Sequence, residues 1–124
     1  MNTAWESSSC QKLIISAERS ELLGVRVDLI SLKQISELFH NPGSTLRLPL
    51  QIITLNVNFL TLTRKYSGLA AIFNSAGLVV ADGRILLWLL RLLGARPPDQ
   101  ITGHDLFELA VDSASRNGAG VFLL

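Results

Sequence analysis

Two short apolar runs, each ending abruptly in polar residues, limit the possible folds of this chain more than any other feature. They cover residues 48–55 and 78–81, and the first is rich in β-branched residues. Such runs are typical of parallel strands buried on both faces. Thr54 lies near the end of the first run and Asn56 directly follows it, while Asp82 directly follows the second run. Because ligands bind at the carboxyl ends of strands in open α/β sheets, these three residues predict one polar pocket.

Helical patterns alternate with the strand-like runs. This alternation predicts an α/β fold, with a Rossmann-like, open, mostly parallel sheet and flanking helices. Residues 120–124 have strand character and are the last of the sequence, so we expect a fold truncated before its second half. Strands are predicted at residues 22–27, 48–55, 78–81 and 120–124, and helices near Ser31, Asn58, Leu69, Arg84 and Thr102.

Composition bounds the domain organisation and the partners. Residues 1–20 are Ser-rich and aperiodic and predict a mobile tail, which leaves residues 21–124 as one domain. The chain is 48% hydrophobic and only 17% charged. This apolar excess indicates surface that self-association, a missing half or a bilayer covers. A net charge of +1, with no basic stripe interleaved with aromatic residues, argues against nucleic-acid binding.

The compartment is predicted to be the cytoplasm. Cys10 is the only cysteine, so the chain can form no internal disulfide and no thiolate zinc site. The N-terminus lacks the cationic start and apolar core of a secretory signal. The longest apolar run, residues 85–93, contains Arg91 and is far shorter than the roughly 20 residues of a membrane span.

Asp82 is the leading candidate for catalysis. It lies between an apolar strand and a helix that is predicted to begin at Gly83. Partial burial there raises the pKa of a carboxylate and the helix N-terminus lowers it, which suits a general base. The alternative is a plain N-cap aspartate that accepts hydrogen bonds from free backbone amides.

Thr54 and Asn56 are candidates for substrate binding. Their spacing of two places both side chains on one face of the strand end, where a hydroxyl and an amide can hold a sugar hydroxyl. The alternative is a turn stabilised by local side-chain hydrogen bonds. Asn58 fits that alternative best, as the cap of the following helix.

The segment from Thr102 to Asp105 predicts a capped helix start. Thr102 and Asp105 have the spacing of a capping box, and helix N-termini bind anions. His104 in this turn is expected to be a surface residue. No set of His, Cys or carboxylate residues has metal-ligand spacing, so we expect no metal and no other cofactor, and chemistry by positioning plus one base.

Several of these segments together resemble the WecG/TagA/CpsF family of bacterial glycosyltransferases. The resemblance covers the chain from about Leu22 to its end. Its specific parts are the Thr-x-Asn strand end, the Asp-Gly pair and the Thr-Gly-x-Asp-Leu helix opening. The matching segments are Leu23-Gly24-Val25, Thr54-x-Asn56, Ala81-Asp82-Gly83, Arg91-Leu92-Leu93-Gly94, Thr102-Gly103-His104-Asp105-Leu106 and Val121-Phe122-Leu123-Leu124.

The resemblance implies an inverting, metal-independent transferase at the cytoplasmic face of the membrane. Such enzymes move an N-acetylmannosamine-type sugar from a UDP donor to a lipid-diphosphate-linked acceptor in cell-surface polymer synthesis. Asp82 is then the general base, and Thr54 and Asn56, with Gly83, line the pocket. The resemblance also implies that this chain is the N-terminal part of a longer domain.

Two features of this chain differ from the family pattern. Gln100 stands where family members often carry Arg, and the sequence stops before the second half. A non-catalytic remnant or interaction module, and a nucleotide-binding α/β protein unrelated to sugar transfer, remain alternatives. The helix of residues 84–93 is too apolar to be solvated, so either a larger core or, through Arg84 and Arg91, a membrane surface is expected to cover it.

Overall fold

The computed structural model describes residues 18–40 and 51–124. Most of the predicted tail therefore lies outside the described residues, as does the first part of the predicted strand at 48–55. Residues 18–20, which the sequence placed in the tail, form the start of a strand. The elements are β1 (Glu18–Leu22), β2 (Val25–Leu29), α1 (Leu32–His40), β3 (Ile52–Leu55), α2 (Val57–Lys65), α3 (Leu69–Asn74), β4 (Leu78–Ala81), α4 (Arg84–Leu92) and α5 (Gly103–Asn117).

The parallel pair of strands predicted from the two apolar runs is present. β3 and β4 are parallel, with Ile52 opposite Leu78 and Leu55 opposite Ala81. Helices connect and flank these strands, which confirms the α/β, Rossmann-like class with an open sheet. The parallel sheet is small, however, and the other strand pair, β1 with β2, is antiparallel.

A tight hairpin replaces the single strand predicted at residues 22–27. Leu23 and Gly24 form its two-residue loop, with φ values of 50° and 81°. Positive φ at both central positions is typical of the type I′ turn that joins twisted antiparallel strands. Leucine seldom adopts this conformation, so Leu23-Gly24 lacks the sequence signal of an Asn-Gly turn. The single-strand prediction was wrong for that reason.

A buried aspartate joins the hairpin to β4. The side chain of Asp28 is fully buried, and its Oδ2 accepts a hydrogen bond from the Val79 backbone N–H at 2.9 Å. Arg19 Nε lies 3.1 Å from Oδ1, and Arg26 Nη2 lies 3.2 Å from Oδ2. Asp28 therefore takes the place of a backbone partner at the edge of β4, with its own charge balanced.

Arg26 and Asn74 add a second connection between the hairpin and the parallel sheet. Asn74 Oδ1 accepts from the Arg26 backbone N–H at 2.7 Å, while Asn74 Nδ2 donates to the Gly24 carbonyl at 2.8 Å. The Arg26 guanidinium donates to the carbonyls of Asn74 and Ala76 at 3.2 and 2.7 Å. These contacts hold the loop before β4 against the hairpin.

The two faces of β4 belong to two apolar clusters. Val79 and Ala81 pack with the hairpin, α2 and α4, whereas Leu78 and Val80 pack with α1 and the segment before α5. All four β4 side chains are buried. This confirms the prediction of a strand covered on both faces, and it fixes β4 in place by packing as well as by hydrogen bonds.

The C-terminal segment is not the buried strand that the sequence predicted. Gly118 ends α5 in the left-handed conformation, with φ 66°, and residues 119–124 form no strand. Phe122 is 95% exposed and Leu123 75% exposed. Apolar character alone does not make a strand, since a strand requires a neighbour for its backbone hydrogen bonds, and no described strand pairs with this segment.

None of the helices within residues 18–40 and 51–124 has both the length and the apolar character needed to cross a membrane.

Candidate active site at the carboxyl ends of the parallel strands

Backbone hydrogen bonds bring three segments together at the carboxyl end of the parallel pair. The Asp82 N–H donates to the Leu55 carbonyl at 2.8 Å, which extends the β3–β4 ladder by one residue. On the other side of β4, the Ile101 N–H donates to the Ala81 carbonyl at 3.1 Å. The strand ends and the segment before α5 therefore lie side by side. A helix begins two or three residues beyond each of Leu55, Ala81 and Ile101.

Asp82 is half-buried at the centre of this arrangement. Among the residues that the structure describes, no group hydrogen-bonds to its carboxylate or forms an ion pair with it. Gly83, one residue later, occupies the N-cap position of α4, and no side chain caps that helix. The geometry does not support the alternative of an N-cap aspartate, because the Asp82 side chain accepts none of the first amides of α4. Neither carboxylate oxygen is used by a residue within 18–40 or 51–124.

Gly83 sets the direction in which the chain leaves Asp82. Its φ of 98° and ψ of 142° lie in a region that is almost exclusive to glycine. The predicted start of the helix at Gly83 is thus one residue early, since α4 begins at Arg84. A side chain at Gly83 would meet no atom within 4 Å, so backbone conformation, and not a lack of space, requires glycine here.

Thr54 lies on the same face of the sheet as Asp82. Thr54 is opposite Val80 in the ladder, and Asp82 follows Val80 by two residues, so the alternation of a strand places both side chains on one face. The Thr54 side chain is half-buried and forms no hydrogen bond with the described residues. The structure therefore places Thr54 and Asp82 on one face of the sheet, as two polar side chains that no described residue hydrogen-bonds.

Asn56 caps α2, although the sequence predicted Asn58 as the cap. Asn56 is the N-cap of α2, and its Oδ1 accepts from the Phe59 backbone N–H at 2.9 Å. Asn58 instead lies in the first turn of the helix and is exposed. Capping uses Asn56 Oδ1, while its Nδ2 has no partner within residues 18–40 and 51–124. Within the Asn56 side chain, the amide nitrogen is thus the group that can donate to a substrate.

The third helix start, at α5, has the capping box expected from the sequence. Thr102 Oγ1 accepts from the Asp105 N–H at 3.1 Å, and Asp105 Oδ2 accepts from the Thr102 N–H at 2.9 Å. The two bonds that Asp105 Oδ2 accepts, from the Thr102 N–H and from the Thr102 hydroxyl at 2.8 Å, lower the pKa of Asp105. Asp105 thus serves to cap α5. His104 is 75% exposed and lies 3.2 Å from Glu108 on the surface of α5.

The electrostatic character of this edge comes mainly from the backbone. The N-termini of α2, α4 and α5 all follow the hydrogen-bonded segments, and each contributes partial positive charge to the same end of the sheet. Arg84 is the first residue of α4 and has no ion pair among the described residues. An anionic group such as a diphosphate is therefore favoured near Asp82. Nowhere in the described ranges do three or more His, Cys, Asp or Glu residues cluster as a metal site would require.

A shallow groove runs along α4 from its first residue, Arg84. Its volume is about 540 Å³, and it is lined by Arg84, Ile85, Leu87, Trp88 and Arg91. A second groove of about 360 Å³ lies between the hairpin and the end of α4, away from the strand ends. Thr54 and Asp82 line neither of these two grooves. Sequence analysis had associated Arg84 only with a covering surface, although it stands two residues after Asp82.

Comparison with known proteins identifies the family. The family model described as "Glycosyl transferase WecG/TagA/CpsF family" matches residues 20–124. No curated protein matches the chain significantly. The matched range contains every residue of the candidate site, together with all three helix starts. On this match, the chain belongs to the WecG/TagA/CpsF family of glycosyl transferases.

Proposed function

We propose that this protein transfers an N-acetylmannosamine-type sugar from a UDP donor to a lipid-diphosphate-linked acceptor, with inversion at the anomeric carbon. Family membership supports sugar transfer in general. The choice of donor, acceptor and stereochemistry follows the resemblance described above. The reaction would serve cell-surface polysaccharide or teichoic-acid-type synthesis at the cytoplasmic face of a bacterial membrane, with no metal cofactor.

The observation that carries the proposal is the state of Asp82. Its carboxylate is half-buried, lies at the carboxyl end of a parallel strand pair and has no partner among the described residues. Structural carboxylates elsewhere in the molecule are used: Asp28 in ion pairs, and Asp99 and Asp105 at helix N-termini. An unpaired carboxylate at the ligand-binding edge of an α/β sheet is a good candidate for a general base.

The proposed reaction is a single in-line displacement. Asp82 accepts the proton of the acceptor hydroxyl while that oxygen forms a bond to the anomeric carbon of the donor. The bond between the anomeric carbon and the diphosphate oxygen breaks on the opposite face, and UDP leaves with the electron pair. Thr54, through its hydroxyl, and Asn56, through its amide nitrogen, would hold the sugars in line for this attack.

The leaving diphosphate would be stabilised by the helix starts. One further negative charge develops on the diphosphate as the bond breaks, and preorganised N–H groups stabilise such charge without reorganisation. The N-termini of α2 and α4 flank Asp82, and Arg84 adds a cation at the start of α4. Gln100 replaces the arginine that is frequent in the family, so we assign the cationic contribution to Arg84.

Replacing Asp82 with asparagine tests the proposal. We expect Asp82→Asn to lower turnover about 10²–10⁴-fold, because the amide cannot accept the proton. Release of UDP is measured with the protein isolated from its own source, a UDP-sugar and a lipid-diphosphate acceptor. Asp99→Asn is the matched control, since Asp99 is exposed and asparagine can still accept from the Leu32 N–H. Unchanged turnover in Asp82→Asn would remove Asp82 from the mechanism.

The same assay distinguishes the non-catalytic alternative. A remnant or interaction module of this fold would bind UDP without releasing it from a UDP-sugar, and Asp82→Asn would leave UDP binding unchanged. A nucleotide-binding protein unrelated to sugar transfer would bind other nucleotides equally well. Turnover that depends on both sugar donor and lipid acceptor excludes both alternatives.

A further inference from the structure

The outer face of α4 is apolar although the helix is firmly packed on its inner face. Leu86, Leu87 and Leu90 are buried in the core. On the opposite side, Ile85 is 64% exposed and Trp88 60% exposed. Leu92 and Leu93 are also exposed. Solvated helices normally carry polar side chains at such positions, so this face is adapted to an apolar neighbour.

Two arginines border the apolar face along one side. At about 100° per residue, Arg84 and Arg91 are aligned within about 20° of each other, and Trp88 follows about 40° further round the helix. Neither arginine forms an ion pair with the described residues, and both line the 540 Å³ groove. The sequence from residue 83 to residue 98 contains three arginines and no acidic residue. The face therefore combines exposed apolar side chains with positive charge that no described residue pairs.

This combination of apolar side chains and positive charge fits a lipid bilayer better than a second copy of the chain. A second copy packed face to face by two-fold symmetry would place Arg84 and Arg91 of one protomer against the same residues of the other, without acidic partners. An anionic bilayer supplies both properties at once, because its headgroups attract the arginines and its interface accepts tryptophan and aliphatic side chains. We infer that the exposed face of α4, formed by Arg84, Ile85, Trp88, Arg91 and Leu92, docks on the surface of an anionic lipid bilayer.

Docking of this face would hold Asp82 at the bilayer surface. Only Gly83 separates Asp82 from α4, and α4 lies directly against the core. A helix of nine residues is about 14 Å long, so the candidate active site would lie within that distance of lipid headgroups. The inference does not depend on the proposed function, since binding to a bilayer requires no turnover.

Vesicle binding of the 124-residue chain tests the inference. The chain has two tryptophans, Trp5 and Trp88, so Trp5→Phe leaves Trp88 as the only one and its emission reports on the α4 face. We expect a blue shift with vesicles of phosphatidylglycerol and phosphatidylcholine, and none with phosphatidylcholine alone. In the same background, Arg84→Ser with Arg91→Ser should weaken binding about thirtyfold.

Matched variants distinguish binding through the α4 face from non-specific electrostatic or hydrophobic attraction to vesicles. Lys33→Ser with Arg64→Ser removes two exposed positive charges from α1 and α2 and should leave vesicle binding within about twofold of the parent. Ile85→Ser should weaken sedimentation with vesicles about tenfold. Ile72→Ser, at a residue 58% exposed on α3, should not.

Three results would overturn the inference. Equal binding to neutral and anionic vesicles would remove the role of the arginines, and equal losses in the two double variants would show non-specific attraction. A blue-shifted Trp88 emission in a dimer without lipid, unchanged by vesicles, would assign the face to a second copy. Loss of turnover in Asp82→Asn with vesicle binding intact would leave the inference standing, so the two proposals fail separately.

Discussion

Asp28 and Asp82 show how differently one fold uses the same side chain. Asp28 is 3% exposed, accepts from the Val79 N–H and pairs with Arg19 and Arg26. Asp82 is half-buried and has no side-chain partner among the described residues. Both carboxylates lie beside β4: Asp28 contacts the strand at Val79, and Asp82 directly follows its last residue. The comparison teaches that partners, and not burial alone, separate a carboxylate that holds the fold from one available for chemistry.

The largest expected effect concerns stability and comes from Asp28. Asp28→Ala leaves Arg26 partly buried without its counter-charge and the Val79 N–H without an acceptor. We expect a loss of about 3 kcal/mol in the free energy of unfolding. Asp82→Ala should change it by less than about 0.5 kcal/mol. Urea unfolding followed by circular dichroism measures both.

Asp28→Asn keeps the comparison testable if the alanine variant fails to fold. Asparagine can still accept from the Val79 N–H, so we expect a smaller loss of about 1–2 kcal/mol. Equal stabilities for the Asp28 and Asp82 variants would contradict the division into a structural and a free carboxylate.

Asn56 offers an intermediate case, because it caps α2 and faces the candidate site. Asn56→Ala removes the acceptor for the Phe59 N–H and should cost about 1 kcal/mol in the free energy of unfolding. Asn56→Asp preserves the cap but removes the amide nitrogen. If that nitrogen holds substrate, Asn56→Asp lowers turnover while the melting temperature stays close to that of the parent. Full activity in Asn56→Asp would make Asn56 a cap alone.

We expect the smallest effect on the free energy of unfolding from the surface pair of His40 and Asp112. His40 Nε2 lies 2.9 Å from Asp112 Oδ2, and this hydrogen bond is the main cause that raises the pKa of His40 above 6.5 and lowers that of Asp112 below 3.8. The stability from His40 is fully present below pH 6.5 and is lost as the pH rises through its folded pKa. The stability from Asp112 is present above pH 3.8 and is lost as the pH falls through its folded pKa.

The contact between α1 and α5 is therefore strongest from about pH 4 to pH 6.5. Urea unfolding of the parent and His40→Gln at pH 5.5 and pH 8.5 measures the effect. We expect the two proteins to differ more at pH 5.5. A difference that is the same at both values would show that His40 contributes by packing and not by charge.

The sequence was informative where the determinants of structure are local. The capping box of Thr102 and Asp105, the helix near Leu69 and the parallel strand that precedes Asp82 all follow from short-range patterns, and the structure confirms them. Apolar character throughout β4 was enough to predict burial on both faces, because a strand exposed on one face would alternate.

The failures involve partners distant in the sequence. Asp28 and Val79 are 51 positions apart, so no local pattern could show that this carboxylate replaces a strand partner. The same limit applies to residues 120–124, whose apolar character suggested a strand although no described strand pairs with them. The sequence predicted Asn58 as the cap of α2, whereas Asn56 is the cap. The two residues are only two positions apart, and helix propensity does not locate the start of a helix that closely.

Asp28 and Ile101 occupy the backbone groups on one edge of β4, and this determines the side on which the small sheet can be extended. Backbone groups at alternate positions point to opposite edges. On the edge away from β3, the Val79 N–H is bonded to Asp28 and the Ala81 carbonyl to Ile101. An incoming strand would have to displace both. The outer edge of β3, where Ile52 and Thr54 present their backbone groups, has no described partner. Growth of the sheet, whether within one molecule or between molecules, is thus steered to the side next to Thr54.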